Sequence, residues 1–139
     1  MERRQRSTVS PRPLVLLVDG HVDTLALCAL ALSATGFDVV PATDGADALG
    51  RAGQLHPDII VTKLPMPRYD GRQFIEDLKQ NPGTRDIPVV ALSGERHAPI
   101  REHPDQIGFA AFLATDCFPH ELARALRQLL EKTHAVGGR

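Results

Sequence analysis

Hydrophobic positions along the chain follow two alternating patterns. LVLLV at 14–18, DIIVT at 58–62 and IPVVAL at 87–92 are short apolar runs rich in Val and Ile, the mark of strands covered on both faces. FDVV at 37–40 and AAFLA at 110–114 show the same pattern more weakly. Between them lie stretches with helical spacing: Asp23 to Thr35, closed by Gly36 just past the helix; Ala46 to Gln54; Arg72 to Gln80, ahead of Asn81-Pro82-Gly83; and Pro119 to Lys132. In the last of these, Leu122, Leu126, Leu129 and Leu130 share one face while Arg124, Arg127 and Glu131 fall elsewhere, and Pro119 suits the first helical position. Asp23 is expected to be the N-cap of the first helix. The stretch 95–107 should supply a further helix, but it contains Pro99 and Pro104. An interior proline costs a helix about 3 kcal/mol, so this segment is expected to be short or irregular.

Strands and helices that alternate in this way build a parallel sheet covered by helices on both faces, because parallel strands need right-handed crossovers. Ligand chemistry then belongs at the carboxyl ends of the strands. A length of 139 residues gives room for one domain, and 42% apolar with 24% charged residues excludes disordered and fibrous classes. The longest apolar run, Leu25 to Leu32, is far short of the roughly 20 residues that span a bilayer. LVLLV is likewise shorter than the core of a secretory signal, which predicts a cytoplasmic protein with no membrane segment. Cys28 and Cys117 lie far apart with no metal-ligand spacing, so neither a disulfide framework nor a zinc site is expected.

Charge divides the chain. Residues 1–12 hold four Arg against Glu2 and read as a flexible basic tail, residues 13–132 as the domain, and 133–139 as a flexible C-terminal tail. Outside the first twelve residues there are 12 basic and 16 acidic side chains, a balance of −4. The tail lacks aromatics and an amphipathic helix, so it reads as solvated rather than as a nucleic-acid arm.

At the predicted strand ends stand Asp19-Gly20, Lys63, Ser93-Gly94 and Ala114-Thr115-Asp116. With VLLVDG, PDIIVTKLPMPRYDG, IPVVALSG and FLATDCFPHEL at matching spacing, the stretch from Leu14 to about Lys132 resembles a response-regulator receiver domain, the phosphorylatable module of two-component signalling. The resemblance implies a flavodoxin-like (βα)5 fold, a doubly wound parallel five-stranded sheet of order 2-1-3-4-5. It also implies phosphoryl transfer from a histidine kinase to an aspartate that ends the third strand. In that family two acids after the first strand hold Mg²⁺, a Ser or Thr ends the fourth strand, and a Lys followed by Pro ends the fifth.

Carried over residue by residue, the match is incomplete. Lys63 stands at the aspartate position, Gly20 replaces the second acid beside Asp19, Thr115 replaces the lysine, and Asp116 replaces the proline; Ser93 is retained. The family pocket carries three carboxylates and one lysine, which a divalent cation balances, whereas Asp19 and Lys63 sum to zero. An ammonium is not a nucleophile for phosphorus at this place, so neither a metal nor another cofactor is expected, and no catalysis. Two readings of Lys63 follow: it pairs with Asp19 as an internal substitute for the metal, or it points into solvent.

Phe112 occupies the family's switch-aromatic position, where core packing is the simpler reading. His21, Asp23 and Ser93 do not make a catalytic triad, since nothing places a His beside Ser93. The expected protein is thus a degenerate pseudo-receiver that is not an enzyme. It would bind a histidine kinase, another regulator or a second copy of itself, through a face that includes Arg124 and Arg127. Two alternatives are phosphorylation at a non-standard acid (Asp58, Asp70 or Asp116) and nucleic-acid binding through the Arg-rich tail.

Overall fold

Strands form at the Val- and Ile-rich runs. In the computed structural model, which describes residues 12–64, 69–93, 108–114 and 119–137, they are β1 (Leu14–Val18), β2 (Asp38–Ala42), β3 (Ile59–Lys63), β4 (Val89–Ser93) and β5 (Ala111–Ala114). All pair in parallel, in the order β2-β1-β3-β4-β5. The edge strand β2 tolerates Pro41, which sits opposite Leu17, because an edge offers one side that needs no ladder donor. Among the described residues the helices are α1 (Val22–Ala34), α2 (Gly45–Leu55), α3 (Gly71–Lys79) and α4 (Pro119–Gly137).

Alternation along the strands divides the core in two. Leu16, Val18, Ile60, Val89 and Ala91 face α2 and α3, where they meet Ala48, Ala52, Phe74 and Leu78. Val15, Leu17, Ile59, Val61 and Val90 face α1 and α4, where they meet Leu25, Leu32, Leu122 and Leu126. Leu129 and Leu130 join this second layer, as the helical spacing predicts. The sheet is therefore the doubly wound one expected, and its carboxyl ends form one edge.

Several boundaries differ from expectation. Asp23 is not the cap of α1: His21 takes that place, with extended φ −99° and ψ 108°, and makes no side-chain cap bond. The reason is that Asp19 already accepts the His21 backbone N–H, at 2.9 Å, and so holds the turn from outside the helix. Asp23 lies in the first turn instead, where its charge suits the helix dipole. The backbone of α4 continues past Lys132 to Gly137. Arg12, placed in the tail by the sequence, is tied to the domain through Asp38 at 3.0 Å and the carbonyls of Phe37 at 2.9 Å and Ser33 at 3.3 Å. Residues 1–11 and the segment 95–107 lie outside the described residues.

Arg127, expected on a partner surface, makes contacts within the fold. Its guanidinium donates to the Thr35 carbonyl at 2.7 Å and lies 4.6 Å over the Phe37 ring. It reaches this turn because Gly36, at φ +104°, has no Cβ; one added there would collide with the Arg127 side chain. α1 has no basic residue in its own last turn, so Arg12 and Arg127 supply the positive charge that its C-terminal carbonyls favour. Arg124, by contrast, is exposed.

On the other face, Tyr69 anchors the chain as it enters α3. Its hydroxyl donates to Asp77, its ring meets Phe74 edge-on, and it fills the space left by Gly45 at the start of α2. Burial pushes the Tyr69 phenol up to about 12, helped by the hydrogen bond to Asp77 and by that carboxylate's charge. Asp77 in turn lies below its usual range, because Tyr69 and then Gln73 donate to it.

Arg127→Ala should destabilise the fold by about 1–3 kcal/mol, from a lost charged hydrogen bond and cation–π contact, as read by urea unfolding. Arg124→Ala should stay within about 0.5 kcal/mol, and equal effects would show that Arg127 is not a clamp. Tyr69 is the one tyrosine and the chain has no Trp, so ultraviolet titration reports this phenol alone. The unfolded value is about 10, so the stability it contributes is intact below pH ~10 and lost as pH rises toward the folded value. Asp77→Asn should move the titration down; no movement would break the assigned link.

Candidate functional site

The site is built by the register of β1 and β3. Val18 pairs with Thr62, so Asp19 and Lys63, the next residue on each strand, finish side by side. Lys63 is opposite Leu92 on β4, and Ser93, one residue on, ends that strand opposite Ala114 of β5. Asp19, Gly20, Lys63 and Ser93 thus lie at one edge of the sheet, as predicted. Thr115 and Asp116 fall outside the described residues.

Asp19 is the centre of this edge. Its residue is 8% exposed, and its backbone N–H donates to the Ala42 carbonyl at 3.0 Å, which continues the ladder to β2. One carboxylate oxygen accepts the His21 backbone N–H, and the other accepts the Thr24 hydroxyl at 2.6 Å. The Lys63 ammonium stands 3.9 Å from that second oxygen, with its side chain one-third exposed. This separation is an ion pair without a direct hydrogen bond. Of the two readings of Lys63, the geometry selects pairing. The His21 ring nitrogen Nδ1 lies 3.5 Å from the first oxygen, but that ring is 80% exposed.

A nearly buried carboxylate is costly unless it is paired and hydrogen-bonded, and Asp19 is both. Gly20 is exposed and offers no side-chain ligand. A divalent cation would find one carboxylate, already engaged by two donors, and an ammonium beside it, so the donor set does not fit such an ion. Below Lys63, Thr62 is fully buried and its hydroxyl has no hydrogen-bond partner among the described residues. Phe112 is half-buried against the α2–α3 layer.

Two other acids are engaged elsewhere. Asp58 precedes β3 and accepts the Leu14 backbone N–H at 2.7 Å, so it braces the opposite end of the sheet. Asp70 is exposed and caps α3 through the Arg72 backbone N–H at 3.1 Å. Sequence reasoning missed Thr24. The signal was a hydroxyl in the first turn of the helix that follows Asp19, which an Asp-centred turn brings back onto the carboxylate.

Comparison with known proteins agrees with this architecture. A family model described as the response regulator receiver domain matches residues 15–127. The transcriptional regulatory protein PrrA of Mycobacterium leprae is 33% identical over 124 residues, 89% of this chain and 52% of PrrA. A solved response regulator from Desulfuromonas acetoxidans is 33% identical with a TM-score of 0.76, covering 85% of this chain and 96% of that one. The chemotaxis response regulator CheY4 of Vibrio cholerae, 23% identical with a TM-score of 0.77, covers 85% and 98% and shares the fold. The chain spans about half the length of the curated relatives it matches first. From the family match and the extent of these identities, the chain belongs to the response regulator receiver family.

Proposed function

We propose that the chain is a pseudo-receiver, a receiver fold that acts by protein–protein interaction without being phosphorylated. The observation that carries this reading is the Lys63 ammonium 3.9 Å from the Asp19 carboxylate, at the strand ends where the family places its acidic nucleophile and metal. A carboxylate that attacks phosphorus forms an acyl phosphate; an ammonium has no lone pair with which to begin. The reading is supported by Asp58 bracing β1 at the opposite end of the sheet and by the Asp70 carboxylate being engaged in capping α3.

In this reading the protein is not an enzyme and needs no cofactor, and the Asp19–Lys63 pair holds the strand ends in one state. Its partner is a histidine kinase or another regulator in the cytoplasm. No helix among the described residues is long and apolar enough to cross a membrane, in keeping with that setting. Of the two arginines expected on the partner face, Arg124 is the exposed one, while Arg127 is committed to the α1–β2 turn.

Incubation with acetyl phosphate and Mg²⁺, followed by intact-mass measurement, should give no phosphoryl adduct on the wild type. Lys63→Asp should also remain unlabelled, because Gly20 still lacks the second carboxylate and Thr115 stands in place of the lysine. A phosphoryl adduct on the wild type would sink the proposal, whereas rapid labelling of Lys63→Asp alone would show that Gly20 and Thr115 do not disable the pocket. Lys63→Ala should lower stability by about 1 kcal/mol, since the pair is between exposed and buried. An unchanged melting temperature would remove the lock while leaving the labelling result to decide the function.

A further inference from the structure

We propose that the outer face of α1 is a self-association surface, on which a second copy of this chain docks with its own α1 antiparallel. Val22, Leu27 and Leu30 are 66%, 67% and 70% exposed on that helix. Among the described residues only one other large apolar side chain, Leu55, is comparably exposed, at 41% on α2. At 100° per residue, Ala26, Leu30, Asp23, Ala34 and Leu27 fall within one arc opposite the buried Leu25 and Leu32, with Val22 and Ser33 on its flank. A helix that is apolar on both its inner and outer sides is one prepared for cover on both.

Charge decides what covers it. Asp23 is the single charged residue of α1 and lies in its first turn. The other end is closed by Arg12 and Arg127 against one carboxylate, Asp38, so it carries net positive charge. A wholly acidic or wholly basic partner would be repelled at one end. A second copy running antiparallel is complementary at both: with the two-fold axis between positions 27 and 30, each Leu27 meets the partner copy's Leu30. Each Asp23 then lies beside position 34, at the arginine-closed end of the other helix. The small Ala26 and Ala34 let the helices approach to roughly 8–10 Å, and the opposed helix dipoles add attraction. Such a contact is isologous and closes as a dimer. One helix face is smaller than the ~800 Å² per partner of a stable interface, so the dimer should be concentration-dependent.

Sedimentation of the full chain over a concentration series tests this. The weight-average mass should rise from that of the monomer toward twice that value. Leu27→Glu/Leu30→Glu should hold it at the monomer with circular dichroism and melting temperature unchanged, because both side chains are exposed. Asp23→Lys should weaken association about tenfold by placing like charges at each end. In a Cys28→Ser/Cys117→Ser background, an equimolar mixture of Leu27→Cys and Leu30→Cys chains should form the mixed disulfide faster than either chain pairs with itself. A wild type monomeric at every concentration, or a dimer that survives the double Glu substitution, overturns the proposal. So does a double Glu variant that melts markedly lower, since the face would then be covered by the chain's own residues. The inference is independent of phosphorylation: Lys63→Ala should dimerise as the wild type does.

Discussion

Asp19 is the carboxylate on which the active edge of this fold depends. β1 and β3 are adjacent and parallel, so whatever ends β3 must coexist with it. A second acid there would bring two carboxylates together, an arrangement that needs a cation between them. Lysine resolves the same electrostatic problem within the chain. The carboxylate also does local structural work, because its oxygens hold the His21 N–H and the Thr24 hydroxyl and thereby fix where α1 begins. At the far end the same helix is closed by Arg12 and Arg127. A helix with a single charge of its own is thus fixed at both ends by charges that belong to other elements.

Most of the fold could be read from the sequence because its signals are local. The apolar runs at 14–18, 58–62 and 87–92 fall within one or two residues of the strands, and Gly36 follows α1 with the positive φ that a closing glycine adopts. The strand order came from family resemblance, since periodicity alone does not order strands. That Asp19 and Lys63 both stand at strand ends was legible through the same resemblance, but whether they pair was left open until the β1–β3 register set them side by side. What escaped was set by contacts distant in sequence. Arg127 looked like one more polar residue on an amphipathic helix, and its partner Thr35 is 92 positions away. Asp23 looked like a cap because its residue type suits the role, but a carboxylate four residues earlier had already taken the N–H that defines the turn.

An internal ion pair differs from a phosphoryl group in one decisive respect: no signal adds or removes it. A conformational equilibrium shifts only when something binds its states with different affinity. In a conventional receiver the phosphoryl group supplies that difference at the strand ends, from inside the fold. Here, in the proposed reading, Lys63 is present in every molecule at all times, so the strand ends contribute a constant bias and carry no information. Any input must therefore arrive at the surface, as the concentration of a partner or of the chain itself. Regulation by occupancy needs exposed recognition features rather than a switching interior. The exposed apolar stripe of α1, set against a core in which Phe112 is packed and Asp19 is paired, is what such a division of labour requires.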